Sequence, residues 1–469
     1  MKKENIILSI LVIGTMMGAI DATIVLLALP SMTAELNSNL ASTIWVIIIY
    51  LLIIAVTTTQ LGRLGDLYGR SKMFNSGFAV FTIGSALCAF APNSLDLILF
   101  RVVQAIGGAL MQSNSGAIIA DIFEVGKRGK AFGFLSLGWN FGAMLGIVLG
   151  GVLTTFIGWR SIFYINIPIG IVALSLGLIY LKDNVRVKER IDLLGMLLLG
   201  ASLFMIAFGA VDFAAYGGSL GDTITIAAGF IVLFAFIFWE YRAKNPMLHL
   251  QAFKNRILGA SIFAALFQAM GYLSVTFILI MYLQGVRGLS PLSASLLLVP
   301  GYLLSSFLSP KMGILSDKFG ARIIATGGIL LMCAAIGVYL LLGVSTSLYL
   351  VVLGSVLAGF GGAMFWPANN SEVMSNAEPA QYGSISGLLR LTSNIGTLVS
   401  YVVVITAATL AVPRALSFQI FIGTSRLVGN VSIAFIGGIH AALLVSLVLL
   451  LFAALLSLVR GKRKPISKI

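Results

Sequence analysis

Apolar runs of about twenty residues recur along this chain from Ile6 to Val459, separated by short polar loops. A bilayer core is crossed by about 20 helical residues. Inside lipid every backbone N–H and C=O must find a partner within the protein, so spans are helices or closed barrels, and long continuous apolar runs specify helices. Only 10% of the residues are charged and 59% are hydrophobic. A water-soluble domain carries about 25% charged residues, so this chain has too little polar surface to cover itself in water. Fourteen spans are expected near 6–29, 43–62, 73–91, 97–120, 131–153, 162–181, 191–211, 223–240, 257–281, 292–312, 322–342, 347–368, 384–410 and 437–459. The expectation is an all-α, multi-pass cell-membrane protein with both termini on one side.

Charge tests that assignment. Of the 30 Lys and Arg residues, 24 fall on the side of the termini and 4 on the other, namely Arg160, Arg287, Arg414 and Arg426; Arg101 and Arg390 fall inside spans. Cytoplasmic loops carry the excess of Lys and Arg, which makes the terminal side cytoplasmic. The net charge of +14 is therefore topology, and nucleic acid is not an expected partner. Cys88 and Cys333 are isolated in apolar runs, so neither a disulfide framework nor a metal site is indicated. No nucleotide-binding glycine loop is present and there are two histidines, His249 and His440. No cofactor is expected, and a membrane-embedded enzyme is disfavoured. The basic start followed by Ile6–Leu29 has the charge order of a secretory signal, but its length, its Asp21 and the spans that follow mark a retained first helix.

A loop motif repeats. Gly62-Arg-Leu-Gly-Asp66-Leu-Tyr-Gly69-Arg70 follows the second span, and Gly313-Ile-Leu-Ser-Asp317-Lys-Phe-Gly320-Ala-Arg322 follows the tenth, 251 residues later. The same offset carries the first span onto the ninth. The chain divides as residues 1–182, a six-helix bundle; 183–256, an inserted helix pair with a cytoplasmic linker; and 257–469, a second six-helix bundle. Parallel halves of this kind rock around a central site in transporters. Glycines permit the tight turn, and an acid near a helix N-terminus meets its positive dipole end. Near 412–436, Leu416–Ile420 and Val431–Phe435 alternate apolar and polar residues, which predicts an external β-hairpin.

These paired loops resemble the signature of the major facilitator superfamily. Three further stretches resemble its fourteen-helix drug:proton antiporter branch: Asp21–Pro30, Arg101-Val-Val-Gln104, and Trp159-Arg160 through Asn166, Pro168 and Gly170. The fifth span carries an antiporter-like series, Gly142, Gly146 and Gly150, with Ile147 where that branch has proline; Leu26 stands where asparagine is common, and Ala105 replaces a glycine. The resemblance implies a monomeric secondary transporter of small molecules, coupled to protons and embedded in the lipid bilayer.

Asp21 lies deep in the first span among apolar residues. An intramembrane carboxylate is costly and usually faces a cavity or a partner. A single carboxylate can hold a proton or a cationic substrate but not both, the simplest physical form of exchange. Arg101 lies in the outer half of the fourth span, at a depth where it can pair with Asp21 or reach the interface. Asp21 and Arg101 are thus the proton-coupling candidates. Met17, Gln104, Asn140, Gln268, Tyr272, Trp366 and Asn369 are candidates for a substrate cavity, Tyr272 being placed opposite Asp21 by the repeat. Aromatic and sulfur side chains beside one acid suit amphiphilic or cationic compounds. Gly62, Asp66, Gly69, Arg70, Asp317 and Arg322 form the expected cytoplasmic gate. Arg390 is expected to snorkel to the interface, and Asp121 to balance Lys127, Arg128 and Lys130. The expected function is proton-coupled antiport exporting small amphiphiles by alternating access. The alternative is a dedicated metabolite or lipid transporter working by uniport or symport.

Overall fold

The structure is a computed structural model that describes residues 3–38, 40–123, 125–183, 191–243, 246–247, 254–376, 382–410 and 430–460, all helix or connecting turn. The first set of helices is α1 (Lys3–Glu35), α2 (Leu40–Tyr68), α3 (Arg70–Ala89), α4 (Ser94–Ile122), α5 (Val125–Phe156), α6 (Ser161–Tyr164) and α7 (Asn166–Tyr180). Next come α8 (Leu193–Asp212) and α9 (Leu220–Arg242), then α10 (Arg256–Tyr272), α11 (Val275–Met281), α12 (Pro291–Phe319), α13 (Ala321–Tyr339), α14 (Tyr349–Ser375), α15 (Tyr382–Leu410) and α16 (Asn430–Val459).

Among the described residues, thirteen stretches are long and apolar enough to cross a membrane by length and composition. The fourteenth expected span is α3. Lys72 and Asn75 lower its hydropathy, yet it is 20 residues long and packs closely on α4. The short α6 and α7 together make the sixth span, and α10 with α11 make the ninth.

Polar side chains start several helices in the loops. Asn93 accepts from the Asp96 N–H at 2.9 Å, Ser219 and Asp222 form a reciprocal capping box, and Ser290 accepts from Ser293 N–H with Pro291 in the first turn. Each satisfies a backbone donor that the helix itself leaves free.

Helix pairing follows the sequence repeat. As α1 packs on α5, α10 packs on α15; as α2 and α3 pack on α4, α12 and α13 pack on α14. The ninth span departs from its counterpart. Where α1 runs unbroken past Asp21, the chain breaks at Leu273–Ser274 between α10 and α11. Ser274 compensates through its hydroxyl, 2.7 Å from that of Ser400 on α15.

The inserted pair lies to one side. α8 touches α2 and α15 and carries α9, whose outer surface is largely exposed. Asp192, starting α8, accepts from the Trp239 indole at 3.1 Å, while its own N–H donates to Gln60 on α2 at 3.1 Å.

The external β-hairpin expected near 412–436 needs correction in part. Residues 411–429 lie outside the described residues, but Val431–Phe435, the expected second arm, already belongs to α16. Five alternating residues do not separate a strand from the first turn of an apolar helix, and in lipid the helix pairs its own backbone.

Candidate functional site

Four helices converge on Asp21. Arg101 Nη1, from α4, donates to Asp21 Oδ2 at 2.6 Å, and Gln104 Nε2, one turn further along α4, donates to Asp21 Oδ1 at 2.8 Å. The same Arg101 nitrogen reaches Gln104 Oε1 at 2.6 Å, and Arg101 Nε donates to Val46 O of α2 at 3.1 Å. Gln104 Nε2 also lies 2.8 Å from Ser85 Oγ on α3. Tyr50, on α2, lies beside Asp21 and offers its ring face to the guanidinium, 4.0 Å from the centroid. Asp21, Gln104 and Ser85 are fully buried and Arg101 is 1% exposed.

The sequence reading of Asp21, Arg101 and Gln104 therefore meets a single closed network. Tyr50, Ser85 and Cys88, whose thiol approaches Gln104 Oε1 at 3.7 Å, were missed. Tyr50 was the legible one, a lone hydroxyl amid the apolar run of α2. Ser85 and Cys88 carry no signal beyond one-turn spacing.

The other cavity candidates do not gather around Asp21. Met17 is buried one turn away in a cluster that includes Phe74, Phe78 and Phe81, while a Cβ at the adjacent Gly18 would meet open space. Asn140 is partly buried on α5 beside the exposed Trp139 and Phe141. Gln268 is buried with its amide nitrogen 3.3 Å from Met332 Sδ. Tyr272 lies beside Tyr339 within the second half. Trp366 packs edge-on against Phe365, and Asn369 accepts from Arg460 at 3.0 Å near the cytoplasmic end. The repeat offset carries position along a helix but not environment, and the break after Tyr272 alters what its side chain meets.

Gly142, Gly146 and Gly150 have a mechanical role. They line the seam between α5 and α1, where a Cβ at each would come within 2.8 Å of Met16 O, 2.1 Å of Thr23 Oγ1 and 2.8 Å of Ile24 O, respectively. Small residues at four-residue spacing let helix backbones approach closely in membranes. The seam holds the helix that carries Asp21. Ile147, in the proline position of the resembled motif, is fully buried.

At the cytoplasmic side, Arg70 Nε donates to Asp66 Oδ1 and Nη1 to Asp121 Oδ1, both at 2.6 Å. Asp121 thus closes the α2–α3 loop onto α4; the side chains of Lys127, Arg128 and Lys130, which it was expected to balance, lie outside what is described. Asp183, after α7, accepts from Ser71 N–H at 2.6 Å and Lys72 N–H at 3.1 Å, capping α3. Gly62 touches Ser113 of α4 at ordinary contact distance from its missing Cβ. Gly69 has φ 113°, and its Cβ would fall 2.1 Å from Asp183 Oδ2. Gly320, its repeat counterpart, has φ 91° with open space around it. The Asp317 side chain lies outside what is described, and Arg322 lines a groove with Arg256 and Arg460.

Gly69→Ala should therefore lower the thermal unfolding temperature in detergent more than Gly320→Ala. Both carry backbone strain on the order of 1–3 kcal/mol, but only the first displaces a capping carboxylate. Equal shifts would show that the Asp183 contact contributes nothing.

The two halves touch at both levels. Near the outer side, Gln284 Nε2 donates to Leu27 O at 3.4 Å. Nearer the cytoplasm, Arg390 Nη1 donates to Gln112 O at 2.5 Å and Asn394 Nδ2 to Gln112 Oε1 at 3.4 Å. Arg390 thus crosses to α4 instead of snorkelling.

Comparison with known proteins agrees with this architecture. The chain is 30% identical to the riboflavin transporter RibZ of Clostridioides difficile (strain 630), over 84% of this chain and 86% of that one. It is 31% identical to the tetracenomycin C resistance and export protein of Streptomyces glaucescens, over 81% and 71%. Its fold matches the crystal structure of a bacterial homologue of the human lysosomal transporter Spinster, inward-facing and occupied, with TM-score 0.68 and 16% identity over 99% of this chain and 100% of that one. With residues 11–401 matching the Major Facilitator Superfamily model, this multi-pass cell-membrane protein belongs to the major facilitator superfamily of transporters.

Proposed function

We propose that this transporter exports small amphiphilic or cationic compounds in exchange for protons by alternating access, with Asp21 as the coupling carboxylate. The observation that carries this reading is the fully buried network in which Asp21 and Arg101 neutralise each other at 2.6 Å. Protonation of Asp21 removes its charge, frees Arg101 and loosens the contacts that Arg101 and Gln104 make with α1, α2 and α3. Proton occupancy is thereby tied to helix packing. Arg101 is the counter-charge, and Gln104 and Tyr50 orient the carboxylate. Residues 1–182 rock against residues 257–469, and the Arg70–Asp66–Asp121 cluster steadies the cytoplasmic side of the first half. The unit is a monomer. Export is supported by the relative with a resistance and export function.

A second reading, transport of one dedicated metabolite, is favoured by the riboflavin transporter relative and by Ile147 in the proline position.

Proteoliposomes with an acidic lumen separate the two. Protons leaving the lumen should drive accumulation of a lipophilic fluorescent cation, and an ionophore that collapses the gradient should abolish it. Riboflavin uptake with no cation uptake would replace the first reading with the second.

A further inference from the structure

At the cytoplasmic end of the second half, an open groove of about 570 Å³ is lined by Arg256, Ile257, Arg322, Leu458, Val459 and Arg460. The ends of three helices meet there: the start of α10, the start of α13 and the end of α16. Arg460 is fully buried and held in place. Its Nε donates to Ser457 O at 3.0 Å, its Nη1 to Asn369 Oδ1 at 3.0 Å and to Ser261 Oγ at 3.3 Å, and its Nη2 to Ser457 Oγ. All of these acceptors are neutral. Among the described residues, none of the three arginines forms an ion pair with a carboxylate.

Burial lowers the Arg460 pKa to about 10, with the charge of Arg322 adding to the effect and Glu372 opposing it. Glu372 is itself buried and accepts from Asn376 at 3.2 Å. Among the described residues, the groove therefore holds more positive charge than its carboxylates pair with.

The first half shows how such a place is completed. There the end of the sixth span supplies Asp183, whose carboxylate caps α3 at Ser71 and Lys72. The counterparts of Ser71 and Lys72 at the start of α13 are Arg322 and Ile323, and the end of the last span supplies Arg460 in place of an acid. No described side chain accepts from the N–H groups of Arg322 or Ile323, and Gly320 offers no side-chain cap. The first half closes this place with an internal carboxylate; among the described residues of the second half, arginines stand there.

We propose that this groove binds the phosphate of an anionic phospholipid of the cytoplasmic leaflet. Guanidinium groups grip phosphate oxygens in paired hydrogen bonds, and anionic lipids of this leaflet attract basic clusters. A lipid rather than a soluble phosphate is favoured by the groove's outer wall. Leu458 and Val459, 43% and 53% exposed, continue the apolar surface of α16 from the phosphate position toward the bilayer.

The test compares the purified protein with Arg256→Gln/Arg322→Gln, two positions outside the packed core. Thermal unfolding in detergent is followed on titration with phosphatidylglycerol, phosphatidylcholine or inorganic phosphate, since a ligand of the folded state raises the midpoint. Phosphatidylglycerol should stabilise the wild type, with at least tenfold weaker apparent affinity in the double variant and no headgroup-specific response to phosphatidylcholine. An identical phosphatidylglycerol response in both proteins overturns the site. Stabilisation of the wild type by inorganic phosphate as strong as by phosphatidylglycerol overturns the lipid as its source. Should the double variant not fold, Arg322→Lys serves instead, with the same reading.

Discussion

Asp21→Asn is expected to reduce pH-gradient-driven transport to the level of empty liposomes while the protein remains folded. Asparagine keeps the size of the side chain and an oxygen that can accept from Arg101 or Gln104, so the hydrogen bonds at 2.6 and 2.8 Å have a substitute acceptor. What it removes is the charge and the proton site. Arg101, 1% exposed, is then a buried cation without a counter-charge. Breaking a buried pair by removing one partner costs on the order of 3–5 kcal/mol, and the retained acceptor places this variant toward the lower end. A fall in the unfolding temperature should therefore accompany the loss of coupling. Replacing both partners, as in Asp21→Asn/Arg101→Gln, should restore part of the stability and none of the coupling. Exchange of labelled for unlabelled substrate at equal pH isolates the carrier cycle from proton movement and should survive in Asp21→Asn. Gradient-driven accumulation at the wild-type level in this variant would remove Asp21 from the coupling step.

Gly146→Leu is expected to abolish both folding yield and transport. A Cβ alone would lie 2.6 Å from Ile20 O and 2.1 Å from Thr23 Oγ1, and the backbone of α1 cannot yield as a flexible side chain does. Overpacking a core costs about 1–3 kcal/mol where neighbours can adjust; here the adjustment is a separation of α1 from α5. Because α1 carries Asp21, the separation also displaces the carboxylate from Arg101. Gly133→Ala on the same helix, with nothing within 4 Å of its added Cβ, is the matched control. It should be neutral or stabilising by about 0.5–1 kcal/mol through helix propensity. Detergent-extracted yield and size-exclusion profile measure both, and a monodisperse, active Gly146→Leu protein would contradict the close α1–α5 seam.

Much of the fold was legible because lipid imposes simple rules. Span length, charge asymmetry and the 251-residue repeat needed no side-chain contacts, and even α3, softened by Lys72 and Asn75, was placed from its spacing. The Asp21–Arg101 pair was legible for the same reason: two opposite charges at similar depth have few alternatives to each other. Environment was less legible. Asn369 looked like a cavity residue because it is polar within a span, yet its partner Arg460 lies 91 positions away on another helix. Asp121 was read only beside its basic neighbours in sequence, and its contact with Arg70 across the loop carried no sequence signal. Periodicity records which face a residue occupies, whereas its partner depends on crossing angles that sequence spacing does not carry.

In electrical terms, the resting Asp21–Arg101 site is a dipole with no net charge, and a proton on Asp21 turns it into a monopole of +1. The transmembrane field then acts on the loaded site and hardly at all on the empty one. Passage of that charge across the full potential is worth about 2.3 kcal/mol per 100 mV, directed toward the negative cytoplasmic face. Exchange of one proton for a monovalent cation is then silent to an electrode, while exchange for a neutral amphiphile carries current. Under the proposed proton exchange, the charge of the exported compound thereby sets whether voltage, as well as pH, drives the cycle.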